Sequence, residues 1–324
     1  MAQATFVKTS VLSTLQDLGR TDFEHLGVRV GGVMDTFAAG VANRLVGNGR
    51  ECALVESTFG GDKIVFNEPV QIAVTGAEVD VLINGVRHPS WAQVTINAGD
   101  ELCLGFARHG VRAYLAVKGG WQCAPVLGSR SADLAEALEE ASLRPLSAGQ
   151  SLDFLPSAAH EWTGQSYPVS RREELYQVNA QTKRVRVLKG PESTRVNRAF
   201  LRQFERLVFA VGKESNRQAL TLDLESDAPG ALSEKGADIV SSYTAFGTIQ
   251  VPAHGRLTVL MADRQSTGGF IRLGQVIAAD LPVLSQARQG DRLGFSWVSL
   301  EEARSLAAYV DSMVYHAHLT SPFA

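Results

Sequence analysis

The segment Asp263-Arg264-Gln265-Ser266-Thr267-Gly268-Gly269 gathers an acid, a guanidinium, an amide, two hydroxyls and two glycines. An apolar run, residues 257–262, precedes it and reads as a buried strand. Strand ends that feed polar loops are where a rigid scaffold presents binding groups. The guanidinium suits a carboxylate or phosphate, and the amide can read a carbonyl or an N–H. The glycines let backbone approach a ligand closely. The plainer alternative is a polar turn whose side chains cap neighbouring backbone.

Three further clusters carry similar chemistry. Gln16, Asp17 and Arg20 fall within Gln16-Asp17-Leu18-Gly19-Arg20, and Gly27, Gly31-Gly32, Met34 and Asp35 follow. They could hold a polar ligand; alternatively, Asp17 pairs with Arg20 across a turn and Asp35 caps a helix. Ser215-Asn216-Arg217 stands before an apolar run, where Asn216 can read an amide and Arg217 an anion. A surface ion pair is the alternative there. Asp280 follows Ile277-Ala278-Ala279, so Asp263 and Asp280 share a polar neighbourhood by sequence. Either carboxylate could act as a general base if burial raised its pKa, or be a structural acid bonded to backbone.

Elements must position these groups. Runs at 5–8, 53–58, 63–66, 70–75, 79–83, 93–96, 101–106 and 112–117 read as strands, and Asn84-Gly85 as a two-residue hairpin turn. A second set follows at 184–188, 207–211, 219–224, 238–242, 248–251, 257–261 and 291–297. Helices are expected after Asp35, over 131–139, over 198–206, and from Ser299 with Glu302 completing a capping box. A polar stretch at 157–182 reads as a linker. Ala98–Phe106 resembles Gln289–Phe295, which points to duplication. The expected architecture is all-β with a few helices in two barrel-like domains, 1–160 and 183–324, joined by a linker or crossing at 161–182.

Composition narrows the function. The 324 residues are 45% hydrophobic and 20% charged, as in an ordinary globular protein of two domains. A net charge of -3 with 7% aromatics argues against nucleic-acid binding. Cys52, Cys103 and Cys123 form no C-x-x-C pair, which points to reduced thiols in the cytoplasm. The N-terminus lacks a basic segment followed by an apolar one, and no apolar run approaches a membrane span, so neither leader nor membrane is expected. His316-Ala317-His318 is the only close histidine pair, and no metal site is expected. The P-loop, Rossmann and nucleophile-elbow motifs are absent.

Short markers run in order along the chain: Gln16–Arg20, Met34-Asp35, Ala42-Asn43-Arg44-Leu45-Val46-Gly47-Asn48, Glu56-Ser57-Thr58-Phe59-Gly60-Gly61 and Thr75-Gly76-Ala77. Tyr114–Gly120, Val126–Ser131, Ser215-Asn216-Arg217, Ala237–Ser241, Ile249-Gln250-Val251-Pro252, Asp263–Gly269 and Ala279-Asp280 complete the set. Together they resemble the allophanate hydrolase subunit 2-like, biotin-dependent carboxyltransferase family. That family includes the C-subunit of prokaryotic 5-oxoprolinase and the antagonist of the sporulation-kinase inhibitor.

The resemblance implies two cyclophilin-like β-barrel domains and a partner, the 5-oxoprolinase B-subunit or kinase-inhibitor-like protein, with the A-subunit of that enzyme as a further component. It implies ATP-dependent opening of 5-oxoproline to glutamate, with ATP used by the complex. In the urea amidolyase branch it implies carboxylation of urea with biotin carried elsewhere; this chain has no Ala-Met-Lys-Met attachment motif. The expected catalytic residues are Asp263, Arg264 and Asp280. The expected substrate-binding residues are Gln16, Asp17, Arg20, Asp35, Asn216, Arg217, Gln265, Thr267, Gly268 and Gly269. A regulatory protein that sequesters a kinase-inhibitor-like partner is the alternative from another class. The chain departs from the family pattern at Arg29-Val30, in place of a proline pair, and at Gly31, Lys118, Ala219, Ser242-Tyr243 and Ile271.

Overall fold

The computed structural model describes residues 2–135, 138, 140–156, 165–225, 238–253 and 255–315. His316 and His318 lie outside them. The chain divides into two compact units. One holds Met1–Thr21, Gly31–Arg172 and Asp311–Ala324, and the other Asp22–Val30 and Glu173–Val310. The second unit therefore takes a short segment from the first half of the sequence.

The first unit is built from two antiparallel sheets around one apolar core. A seven-stranded sheet runs in the order Trp121–Gln122, Ser151–Phe154, Ala2–Lys8, Lys63–Phe66, Glu101–Leu104, Val81–Ile83 and Val86–His88. A five-stranded sheet runs Leu12–Gln16, Leu54–Thr58, His109–Val117, Val70–Glu78 and Gln93–Ile96. Alternation puts Ile72, Val74, Leu115 and Val55 into the shared core with Phe6, Phe66 and Trp121. The opposite face of the five-stranded sheet is polar: Thr14 pairs with Glu56 and Tyr114 with Thr75. The helix Thr36–Leu45 covers that face, and Thr75 donates through Oγ1 to the Ala38 carbonyl at 2.7 Å. Asp35 caps this helix, accepting from the Ala38 N–H at 2.9 Å.

The second unit contains a closed barrel. Its strands run Lys183–Lys189, Arg292–Trp297, Val208–Val211, Ala219–Leu224, Leu257–Leu260, Thr248–Val251 and Thr267–Val276, and the last pairs back with the first. Closure removes the free edges that an open sheet would present. Asp238–Tyr243 pairs outside the ring with Thr267–Val276. Phe204 stacks on Phe295 at 5.4 Å between ring centres inside this unit.

The all-β class with few helices holds, and most strands lie where the alternation placed them. Asn84 and Gly85 have φ of 50° and 80° in the expected hairpin. The C-terminal helix covers Leu300–Tyr315, capped by Ser299, whose Oγ accepts from the Glu302 N–H at 3.2 Å. Three expectations need correction. Residues 131–135 form no helix, and 136, 137 and 139 lie outside the described residues. Ser131 and Asp133 spend their side chains on loop backbone instead, with Asp133 accepting from the Ala135 and Leu138 N–H groups. Within the polar stretch read as a linker, Val169–Tyr176 is helical. The segment Asp263–Gly269 is a loop only at its start, because Thr267 opens a ten-residue strand. Its partner across the sheet, Asp238–Tyr243, is remote in sequence and holds it in register.

Among the described residues no helix is long and apolar enough to cross a membrane, and no group of three potential metal ligands occurs.

Candidate functional site

The sequence-derived site residues divide between the two units, Gln16, Asp17, Arg20 and Asp35 in the first and the others in the second. In the first unit, Asp17 directly follows the edge strand Leu12–Gln16. Its carboxylate accepts from Gly19 N–H at 2.8 Å, Arg130 N–H at 2.6 Å, Ser129 Oγ at 2.5 Å and Ser131 Oγ at 2.7 Å. Arg20 donates to the Ser131 carbonyl. Asp17 and Arg20 thus meet at Ser131 and clamp one loop to another. Gly32 packs against this turn: a Cβ there would stand 2.9 Å from the Leu18 carbonyl carbon, and its φ is +86°.

Behind the helix cap lies a buried relay that sequence reasoning did not single out. Glu56 Oε2 accepts from the Met34 N–H and the Tyr114 hydroxyl, each at 2.9 Å, and the Asp35 N–H donates to the same hydroxyl at 2.9 Å. Arg112 Nε lies 3.6 Å from Glu56 Oε1. Burial, reinforced by the charges of Glu56 and Asp35, pushes the Tyr114 hydroxyl well above the usual tyrosine pKa. The signal was present in the sequence: an acid inside the apolar strand Leu54–Thr58 demands partners. Gln16 shares the polar face; its Nε2 donates to Thr14 Oγ1 at 3.0 Å, while Oε1 has no hydrogen-bond partner among the described residues.

In the second unit, sheet pairing delivers Arg217 to Asp263. Ala219 pairs with Leu260, and the Asp263 N–H donates to the Arg217 carbonyl at 2.9 Å. The guanidinium then grips the carboxylate with two bonds of 2.8 Å, both residues being buried. Arg264 donates to Glu24 Oε1 at 2.9 Å and to the Thr244 carbonyl at 3.3 Å. Burial lowers the Arg264 pKa and Glu24 opposes that effect. Arg29, on the same short segment as Glu24, donates to the Asp263 carbonyl at 3.0 Å and has no carboxylate partner among the described residues. Asn216 accepts from the N–H groups of Gln218 and Ala219, at 2.7 and 3.3 Å, and so shapes the turn before the strand.

Asp280 has a different arginine. Arg186 donates to it through Nε at 3.0 Å, Nη2 at 2.6 Å and its backbone N–H at 2.6 Å. Asp263 and Asp280 therefore sit in separate ion pairs. Gln265 and Thr267 are exposed, and Gly268 and Gly269 half-buried. Chemically, the cluster supplies a braced loop with amide and hydroxyl groups on it, one lightly committed guanidinium, and carboxylates already engaged by cations.

Residues 26–297 match the family model described as carboxyltransferase domain, subdomain A and B. The chain belongs to this family. It is 32% identical to the 5-oxoprolinase C-subunit of Escherichia coli over 315 residues, covering 97% of this chain and 96% of that protein. It is 28% identical over 305 residues to urea amidolyase of Saccharomyces cerevisiae, covering 91% of this chain but only 16% of that enzyme. Among solved structures, the K. lactis urea amidolyase superposes with a TM-score of 0.84 at 25% identity, over 98% of this chain and 20% of that one. The family's fold thus occurs both in a protein of this chain's extent and as a fraction of a much longer enzyme.

Proposed function

We propose that this chain is the C-subunit-like component of an ATP-dependent 5-oxoprolinase, acting on a small amide or lactam with a B-subunit-like partner and an A-subunit-like one. The observation that carries this assignment is the reciprocal match to the E. coli C-subunit, which spans 97% of one chain and 96% of the other. We place the complex in the cytoplasm.

The proposed roles follow from the geometry. Arg29 holds the substrate carboxylate, since its described partner is only a backbone carbonyl. The Arg217–Asp263 pair fixes the loop, and Asp263 acts as a base only when one of its two bonds to Arg217 opens. Asp280, held by Arg186, is a positioning residue. The charges of Arg217 with Asp263 and Arg264 with Glu24 cancel in pairs, which does not fit a triphosphate. We therefore assign ATP binding to the complex.

The test is to combine the chain with B-like and A-like partner subunits. ATP-dependent loss of 5-oxoproline and formation of glutamate are then followed. Turnover should require this chain and fall with Arg29→Ala, Asp263→Ala and Arg264→Ala; unaltered turnover in all three would sink the site assignment. The family description and the urea amidolyase superposition favour a second reading, carboxyl transfer to a urea-like amide with biotin supplied in trans. That outcome would appear as carboxylation of urea without 5-oxoproline turnover.

A further inference from the structure

Buried polar side chains are almost always hydrogen-bonded, and each exception asks for a cause. Two exceptions meet at Gly268. Gln250 is 2% exposed, and its Nε2 has no hydrogen-bond partner among the described residues. The Ser242 hydroxyl is likewise shielded from solvent and without a partner among them. Ser242 stands directly opposite Gly268 in the strand pairing. Directly opposed residues project their side chains on one face, so Ser242 shares the side on which Gly268 carries no Cβ.

A Cβ at Gly268 would stand 2.6 Å from Gln250 Nε2, 3.2 Å from Thr244 Cγ2 and 3.5 Å from Gln265 Nε2. Gly268 is not among the glycines with positive φ, so it serves close approach rather than an unusual backbone conformation. Two amide nitrogens thus lie about one bare Cα, and the strand pairing puts Ser242 on the same face. The nearby ion pairs, Arg217 with Asp263 and Arg264 with Glu24, are internally neutralised.

We propose that Gln250 and Ser242, with Gln265, form a subsite that reads a neutral amide group. Gln250 donates to the ligand's carbonyl oxygen, and the ligand's N–H donates to Ser242 Oγ. A lactam or a urea offers both an acceptor and a donor, whereas a carboxylate offers acceptors alone. Gln265, being exposed, forms the solvent side of the subsite. The Gln250 amide reaches a ligand seated there by rotating about its terminal torsion, which is soft. These residues determine specificity and take no part in bond breaking. The choice of probes rests on the amide or lactam assignment above.

The test is calorimetric titration of the full chain, alone and with its B-like partner, using 5-oxoproline and urea as separate probes. Thermal unfolding is measured beside it. The wild type should bind at least one probe. Gln250→Leu should weaken that binding about tenfold, the worth of one hydrogen bond, and Ser242→Ala several-fold. Gln250→Leu should leave Tm unchanged or raise it, because it removes a stranded buried donor. Unchanged binding in Gln250→Leu, a lowered Tm that accounts for the loss, or a wild type that binds neither probe would overturn the proposal. Binding of urea alone, lost in Gln250→Leu, would keep the subsite and sink the 5-oxoprolinase assignment. Full turnover of 5-oxoproline with unchanged KM in every variant would do the reverse.

Discussion

Asp17, just past the edge strand Leu12–Gln16 of the first unit, and Gln250, within the barrel strand Thr248–Val251 of the second, are both buried polar residues, and they are in opposite states. The Asp17 carboxylate accepts four hydrogen bonds from Gly19, Ser129, Arg130 and Ser131. The Gln250 amide nitrogen has no partner among the described residues. A saturated buried group holds loops together and has nothing left for a ligand. An unsatisfied one costs stability and is retained where something else satisfies it. The contrast separates framework from recognition better than residue type does, because an acid and an arginine look equally chemical in either role.

The comparison can be broken most forcefully at the Arg217–Asp263 pair. Removing one member of a buried ion pair typically costs about 3–5 kcal/mol, so Arg217→Ala should lower the unfolding free energy by about that much in a denaturant titration. A loss below about 1 kcal/mol would show that the pair is not part of the framework.

Asp17→Ala comes next. It strands the Gly19 and Arg130 N–H groups, each worth about 1–3 kcal/mol if left unsatisfied, and should cost about 2–4 kcal/mol. Asp17→Asn, which keeps an acceptor, should recover part of this. Equal stability of Asp17→Ala and wild type would remove Asp17 from the framework.

Gly268→Ala probes the other side of the contrast. Its methyl group meets the movable end of Gln250, 2.6 Å away, so the expected stability change stays within about 1 kcal/mol. Probe binding should nevertheless fall about tenfold. A large stability loss with intact binding would assign Gly268 to the framework instead.

The smallest effect concerns pH. Tyr114 has its folded-state pKa raised by burial and by the neighbouring charges of Glu56 and Asp35. Its contribution is therefore fully present below the unfolded-state value of about 10 and is lost as pH rises above it, because the unfolded chain releases the proton first. Unfolding free energy should fall above about pH 10 by up to about 1.4 kcal/mol per unit from this group, and Tyr114→Phe should flatten that slope. An identical slope in both proteins would contradict the assignment.

Much of this was legible in the sequence. Alternation located most strands, and Asp35 and Ser299 announced their helices, because these signals are local. Thr267, Gly268 and Gly269 read as loop because the strand that orders them, Asp238–Tyr243, is paired through space and not by pattern. The same cause kept Gln250, part of a family marker, and Ser242, a departure from the family pattern, from reading as site residues. A glutamine within Thr248–Val251 looks like an ordinary strand residue until Gly268 is brought against it. Conversely, Asp280 looked like a second base, and only the fold shows that Arg186 takes both of its oxygens. The Asp22–Val30 segment belongs to the second unit, where Glu24 meets Arg264 and Arg29 meets Asp263, pairings that no spacing in the sequence announces.

The most direct measurement is the side-chain amide signal of Gln250 in a selectively ¹⁵N-labelled full chain during titration with 5-oxoproline and urea. The signal, assigned through its disappearance in Gln250→Leu, should shift in a saturable way with at least one probe and move less in Ser242→Ala. A Gln250 signal that stays fixed while other residues report probe binding would contradict the central claim that the unsatisfied amide is the ligand's partner.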